Sequence, residues 1–519
     1  MRLRFVTGEM QSARIGTQAS SLCGRQASCL PPSGTDRCGR SQAGSPRAAQ
    51  AGSLCSAPWR SSRLHCSGLV FAWLALAIVL SSVVCISAAD TAPARATEMS
   101  FLDNGKIRVG VDLRMGGAIT WLSRSGGENV VNSHDFGRQI QLSFFSGPVP
   151  FGVGENQPAQ HWRHIGWNPI QAGDDFGNTS RVIEHRNDGR SIYVKLAPLQ
   201  WPLKNVEGEC IFESWLELDG NAVRARARLA NARSDKTQYP ARDQELPAAY
   251  FNAPFHRLVS YTGDRPFTGG KITELPTKGT VAGMWSAWNA TERWSAWLND
   301  EGWGVGVWNP GTTAAIGGFS GTPGVGGALD SATAYVAPKR MEILDVDITH
   351  EFRYALVLGT VEEIRKFAAG QPGARKLPAW EFRDDRQGWQ FKNATDTGWP
   401  IRGMLDVRME KNDPQLHGPP TFWRAEDAPR LVIEAAYDGT SGDAEIFWDR
   451  LDGANDHRVQ RATFSPIADG QFREYLVNLA AVPGYEGGCT QLRFDPVPSG
   501  KPGARVRIRR IVLEGEPAH

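Results

Sequence analysis

Three short segments of this sequence concentrate the side chains that do chemistry. The first is His134-Asp135-Phe136-Gly137-Arg138-Gln139-Ile140-Gln141. On a strand, Arg138 and Ile140 share one face and Gln139 and Gln141 the other, so the segment offers a ligand either a guanidinium or two amides. A guanidinium fork suits vicinal hydroxyls or a carboxylate; a structural Asp135–Arg138 pair is the alternative. The second segment is His161-Trp162-Arg163-His164-Ile165-Gly166-Trp167-Asn168-Pro169. Its mix of aromatic and polar residues between Gly and Pro suggests a loop over a site, with Trp167 stacking on a sugar ring, Asn168 contacting it and His164 exchanging protons near neutral pH. The spacing His161-x-x-His164 lacks the glutamate and helix of a zinc-protease motif, so no metal is assigned. The third segment is Asp243-Gln244-Glu245-Leu246-Pro247-Ala248-Ala249-Tyr250-Phe251-Asn252, followed by His256 and Arg257.

Cleaving a glycosidic bond takes one carboxyl to protonate the leaving oxygen and a second to act as base or nucleophile. Glu245 is the first candidate, and Glu292, which precedes Arg293 and Trp294, is the second. Elimination from a uronate would instead take a base such as Tyr250 or His256 and a cation such as Arg138 or Arg257. His134, Asp135, Arg138, Trp167, Asn168, Tyr250, Asn252, His256, Arg257 and Trp294 are the expected substrate contacts. No cofactor is expected.

Positioning these groups falls to the rest of the chain. Its 519 residues, 41% hydrophobic and 22% charged, exclude a collagen-like, disordered or multi-span membrane protein. The formal charge of +2 hides an asymmetry: residues 1–89 hold nine Arg, no Lys and two acids, leaving 48 basic and 53 acidic residues beyond them. An acidic body lacks the basic stripe that tracks phosphates, so no nucleic acid partner is expected. Six of the eight cysteines also fall in residues 1–89, and Cys210 and Cys489 alone build neither a disulfide framework nor a zinc site. Of the 18 tryptophans, 16 lie in residues 90–519; sugar stacking explains part of that excess and core packing the rest.

The apolar run Gly68 to Ile86 follows Arg60 and Arg63 and precedes Ser87-Ala88-Ala89, the layout of a signal peptide over residues 60–89. Secretion or export to a periplasm is expected, with no stable membrane span after cleavage, although the run is also long enough for a signal anchor. Residues 1–59, rich in Ser, Gly, Arg and Pro, read as disordered or as a start assigned too far upstream.

From Ser100 onward the period is two. Ile107, Val109, Val111 and Leu113 alternate with Arg108, Gly110 and Asp112; Ala225, Ala227 and Leu229 with Arg224, Arg226 and Arg228; Val506 and Ile508 with Arg505, Arg507 and Arg509. One polar face per strand predicts antiparallel sheets. One helix is predicted where Thr360 and Glu363 make a capping box, Ile364 and Phe367 the apolar face, and Gly370 the stop. The glycines of Gly302-Trp303-Gly304-Val305-Gly306 leave a bare strand face for a ligand or for close packing. Residues 371–379 read as a linker between a region at 98–370 and another all-β region at 380–516.

Asn104-Gly105-Lys106-Ile107-Arg108-Val109, leading to Gly116-Gly117-Ala118-Ile119 and Asn129-Val130-Val131-Asn132, resembles the opening of the galactose-mutarotase-like β-supersandwich. The hairpin from Leu218-Asp219-Gly220-Asn221 to Asn231, and Arg293-Trp294-Ser295-Ala296-Trp297 before Gly302–Gly306, are similar to the same superfamily. The resemblance spans residues 100–370. It implies an all-β fold, with an N-terminal antiparallel β-supersandwich that binds sugars on a concave sheet face. It does not extend to the full epimerase set of two histidines and a carboxylate pair, or to the helical toroid of many hydrolases and lyases. The C-terminal region, with Gly388-Trp389, Asp413-Pro414 and Leu492-Arg493-Phe494-Asp495-Pro496, is similar to the β-sandwich jelly rolls of carbohydrate-binding modules, and a structural Ca²⁺ there is left open. The expected partner is a poly- or oligosaccharide and the expected work its hydrolysis by paired carboxylates. A uronate lyase, a non-catalytic glycan-binding protein and an aldose 1-epimerase are the alternatives. The oligomeric state is not legible.

Overall fold

The computed structural model describes residues 98–278 and 285–516; the readings made for residues 1–89 lie outside the described residues. The period-two segments become long antiparallel strands. A ten-stranded sheet runs in the order Met99–Asp103, Ile107–Asp112, Ala118–Arg124, Ile140–Ser143, Arg242–Asn252, Thr333–Glu342, Ala314–Ser320 and Ser286–Asn289, with the short strands Pro169–Ile170 and Leu199–Gln200 attached beside Ile140–Ser143. A nine-stranded sheet has Thr349–Thr360 near its middle, flanked by Trp303–Trp308 and by the hairpin Cys210–Asp219 and Ala222–Asn231. Side chains of one face of each sheet meet in a shared core: Val109, Ile140, Leu142, Leu246, Phe251 and Val336 from the first, Phe212, Leu229, Val305 and Leu356 from the second.

Alternation holds where it was expected. Ile107, Val109 and Val111 are buried, and Ala225, Ala227 and Leu229 face the core while Arg226 lies 3.6 Å over the Trp215 ring on the outside. It breaks at Leu113, which begins a 3-10 turn capped by Asp112. The helix Val361–Ala369 carries both hydrogen bonds of the Thr360–Glu363 capping box and inserts Ile364 into a satellite cluster. That helix settles the glycine face. A Cβ at Gly306 would lie 2.4 Å from Ile364, and one at Gly304 would lie 1.9 Å from the Trp297 carbonyl oxygen, so close packing fills the face at these two positions, whereas Gly302, at φ +75°, faces open space.

Beyond Trp380 the strands form two six-stranded sheets around a separate core. One is centred on Arg505–Glu514 and Arg430–Asp438, the other on Gly488–Asp495 and Ala444–Arg450. Val506 and Ile508 point inward, and Arg505, Arg507 and Arg509 reach Asp406, Asp438 and Glu434 on neighbouring strands. Arg386 ties these sheets to the larger pair: it contacts Asp396 among its own strands and Asp345 in the loop before Thr349–Thr360.

The tryptophan excess resolves largely into core. Of the sixteen, ten are buried and six are half-buried, and none is exposed. The half-buried six include Trp215 and Trp308, which with Tyr354 line a surface cavity of about 550 Å³. Both Cys210 and Cys489 are buried free thiols. Among the described residues, no helix is long and apolar enough to cross a membrane, and no group of three or more His, Cys, Asp or Glu is arranged to hold a metal ion.

Candidate functional site

The strand Arg242–Asn252 lies between Ile140–Ser143 and Thr333–Glu342, in the middle of the ten-stranded sheet. Leu246, Ala249 and Phe251 face the inter-sheet core, while Ala248 and Tyr250 join Tyr335, Ala337, Trp285 and Ile316 in a smaller cluster on the opposite face. The register shifts between Glu245 and Ala248, a bulge of the kind that re-aims a side chain. Just before it, Glu245 stands opposite Ser143 on one side and Lys339 on the other.

Glu245 is half-buried. The Tyr335 hydroxyl donates to its Oε1 at 2.6 Å. Burial is the dominant influence on its acidity and pushes its pKa from 4.5 up to about 7; Tyr335 and Lys339 pull it down and Asp243 pushes it up. Two residues earlier on the strand, Asp243 accepts from Lys339 Nζ at 2.8 Å. Side chains two apart on a strand share a face at a spacing of roughly 6–7 Å. The site therefore holds one carboxyl poised to exchange a proton near neutrality and a second paired with a lysine.

Arg242 brings the second segment alongside, its Nη2 donating to the His164 carbonyl at 3.3 Å. His164 is half-buried, and burial is the largest influence on its pKa; it lowers it, against a raising backbone hydrogen bond at His161 and with Arg242 and His161 adding to the lowering. Its neighbours Trp162 and Ile165 pack with Phe136 and Phe145, and Trp162 Nε1 donates to Asp175 at 2.7 Å. The first segment is a clamp. Arg138 pairs with Asp135 at 3.2 Å and donates to the Ser331 carbonyl at 2.7 Å, and His134 Nδ1 lies 2.8 Å from the Leu329 carbonyl oxygen. Tyr250 is joined to this clamp through the backbone of Gln139 and Asn132.

Glu245, Tyr250, His164 and the His134–Arg138 loop thus belong to one sheet and its covering loops. Other expected site residues do not join them. Trp167 is wholly buried in the inter-sheet core and donates to the Gly208 carbonyl, so it stacks on no ligand. Asn168 is buried, donating to Ser143 Oγ and the Phe144 carbonyl, and Asn252 donates to the Asn129 carbonyl. His256 and Arg257 meet Asp300 and Glu274 on the nine-stranded sheet.

Glu292 departs most from the expectation of a carboxylate pair. It precedes strand Trp294–Leu298 in the nine-stranded sheet, its side chain is 0% exposed, and it faces no cleft. Its oxygens accept from Arg365, the Phe267 backbone N–H and the buried Trp294 Nε1. A charge with four such donors holds structure together. The residue that accompanies Glu245 is Asp243, and Tyr335 and Lys339 complete the group. Their signal was the alternation Tyr335, Ala337, Lys339 against Ala334, Val336, Pro338 on one strand. We expect Glu292→Gln to weaken the ion pair with Arg365 and lower stability by about 1–3 kcal/mol, measured by urea unfolding, without changing the pH dependence of any activity centred on Glu245.

No family model matches this chain, and no curated protein does. Solved structures similar to it include a galactose mutarotase related enzyme from Lactobacillus acidophilus (10% identity, 50% of this chain and 97% of that chain, TM-score 0.34). A galactose mutarotase-like protein from Lactobacillus casei is also similar (10% identity, 50% of this chain and 100% of that chain, TM-score 0.33). So is a 4-alpha-glucanotransferase from Thermococcus litoralis (12% identity, 51% of this chain and 40% of that chain, TM-score 0.26). Galactose mutarotase-like and aldose 1-epimerase proteins thus cover about half of the chain.

Proposed function

We propose that this protein is a carbohydrate-active enzyme in which Glu245 is the general acid that protonates a glycosidic oxygen of a poly- or oligosaccharide. The observation that carries this reading is the carboxyl of Glu245, half-buried, bonded to Tyr335 and raised to about 7, so that it still holds a proton near neutrality. Asp243, ion-paired with Lys339, is the second carboxylate, two positions away on the same face of the strand. Tyr250 and the His134–Arg138 clamp line the sugar's approach, and the C-terminal sheets serve as a carbohydrate-binding module.

A second reading has its own support. Because Asp243 is already paired with Lys339, Glu245 is the carboxyl of the two that is poised to exchange protons, and one such group, with His164 of the loop that Arg242 holds as its partner, would meet the need for an acid and a base in opening and closing a free sugar hemiacetal. Incubation with a polysaccharide panel and, separately, with free hexoses of one anomer separates the two. New reducing ends support hydrolysis, and reducing ends with a new ultraviolet chromophore indicate elimination. Faster anomer interconversion without chain cleavage assigns the site to an epimerase. Binding with none of these makes the protein a glycan-binding module.

A further inference from the structure

A cavity of about 300 Å³ lies between the two pairs of sheets, walled by the loops at 265–268 and 291–293, the segment 374–377 and residues 422–427. Five cations line it, Arg265, Arg293, Arg375, Lys376 and Arg424, against one acid, Asp427. Some of that charge is already engaged: Arg424 holds Glu426, and Arg375 donates to the Phe267 carbonyl. Arg265, Arg293 and Lys376 form no ion pair or side-chain hydrogen bond with any described residue.

Arg293 is the unusual member. It sits at φ +62°, a left-handed conformation that costs a side-chain-bearing residue free energy and that the flanking structure must enforce. That structure is visible: Glu292 and Trp294 on either side are fixed in the core, and the Arg293 carbonyl accepts from the Asn309 N–H. Arg293 borders this cavity and also the adjoining one of about 390 Å³, which Arg340 and Trp380 help to line. Burial without a counter-charge lowers its pKa. A mostly buried, fixed and unpartnered guanidinium beside two free cations is a preformed receptor for an oxyanion.

We propose that this junction binds the carboxylate of an acidic sugar, with Arg293 as the bidentate donor and Lys376 and Arg265 as supporting charges. The planar fork matches a carboxylate. The cavity's volume is at the small end for ligand sites and suits one pyranose unit, and Phe267 and Phe422 give the sugar ring apolar wall. The carbohydrate identity rests on the reading above; the anion site does not, and it lies apart from Glu245. A glycan held here would bridge the catalytic sheet pair and the C-terminal one, so the junction would favour acidic chains over neutral ones.

Calorimetric titration of the protein with glucuronate, glucose and inorganic sulfate tests this without any turnover. Glucuronate should bind and glucose should not over the same range. Arg293→Gln should weaken glucuronate roughly tenfold or more, and Lys376→Gln, on an exposed residue, severalfold. A thermal melt of Arg293→Gln checks its fold, and the lysine variant decides if that melt fails. Absence of glucuronate binding, equal binding of glucose, sulfate binding as tight as glucuronate, or wild-type affinity in both variants would overturn the proposal. If no carbohydrate activity is found yet glucuronate binds with this pattern, the Glu245 reading fails and this one stands.

Discussion

Replacing Glu245 with glutamine should lower turnover about 10²–10⁴-fold, the usual share of a general acid, while leaving the protein at least as stable as the wild type at pH 8. The two halves of this result have one cause. Burial raises the carboxyl from 4.5 to about 7, so between those values the folded state binds more protons than the unfolded one. Stability contributed by the protonated group is therefore complete below the unfolded pKa and falls as pH rises through the folded value. At pH 8 the wild type carries a charged carboxylate in a poorly solvated place, at a cost of up to roughly 3 kcal/mol. Glutamine removes that charge, and its amide oxygen still accepts from the Tyr335 hydroxyl. The same protonation sets the rate, which in the wild type should fall above about pH 7 as the acid is lost. A pH–rate profile paired with thermal melts of both proteins at pH 5 and pH 8 checks this. An active Glu245→Gln enzyme, or one much less stable at pH 8, would sink the assignment.

Lys339 gives a companion diagnostic. It holds Asp243 at 2.8 Å and lowers the Glu245 pKa, so neutralising it moves the high-pH limb of the profile to higher pH, whereas a bystander lysine would not shift the profile.

The fold was legible for a simple reason. In antiparallel sheets with one buried face, side-chain period and burial are the same information, and Ile107–Val111, Ala225–Leu229 and Val506–Ile508 carry it plainly. The single helix was legible from its cap. The site was half legible. Glu245 stood out because glycosidic cleavage needs a carboxyl acid and the segment Asp243–Asn252 gathers carboxyls, Tyr and Asn. Its partners did not, because Tyr335 and Lys339 lie about ninety residues downstream, and which strands become neighbours is decided by pairing across the whole sheet. Glu292 misled for a related reason. A buried ion pair and a catalytic carboxyl use the same residue types, and only the Arg365 guanidinium, seventy-three positions away, tells them apart. Tryptophan was ambiguous through volume: a wide two-sheet core consumes large side chains, and an excess in sequence does not say which face receives them.

The largest loss of stability is expected at Arg386. Its side chain is 4% exposed and lies between Asp345, 7% exposed, and Asp396, 0% exposed. Nε and Nη2 donate to Asp396 at 2.6 and 3.0 Å, and Nη2 also donates to Asp345 at 2.6 Å. Gln238 bridges the same two carboxylates at 3.0 and 2.8 Å, and the Trp399 backbone N–H adds a bond to Asp345. Burial opposes the arginine's charge, but Asp396 and Asp345 outweigh it and raise its pKa. Arg386→Ala would leave two carboxylates facing each other out of water, which should cost about 3–5 kcal/mol. Because these strands belong to different pairs of sheets, calorimetry should resolve the single transition into two. Replacing the whole group, Arg386→Met with Asp345→Asn and Asp396→Asn, should recover much of the loss, since a buried ion cluster contributes little over a neutral one of similar volume. A variant Arg386→Ala that unfolds within about 1 kcal/mol of wild type, in one transition, would mean that apolar contact around Trp399, which packs against both cores, joins the two halves and the ions merely fill the seam.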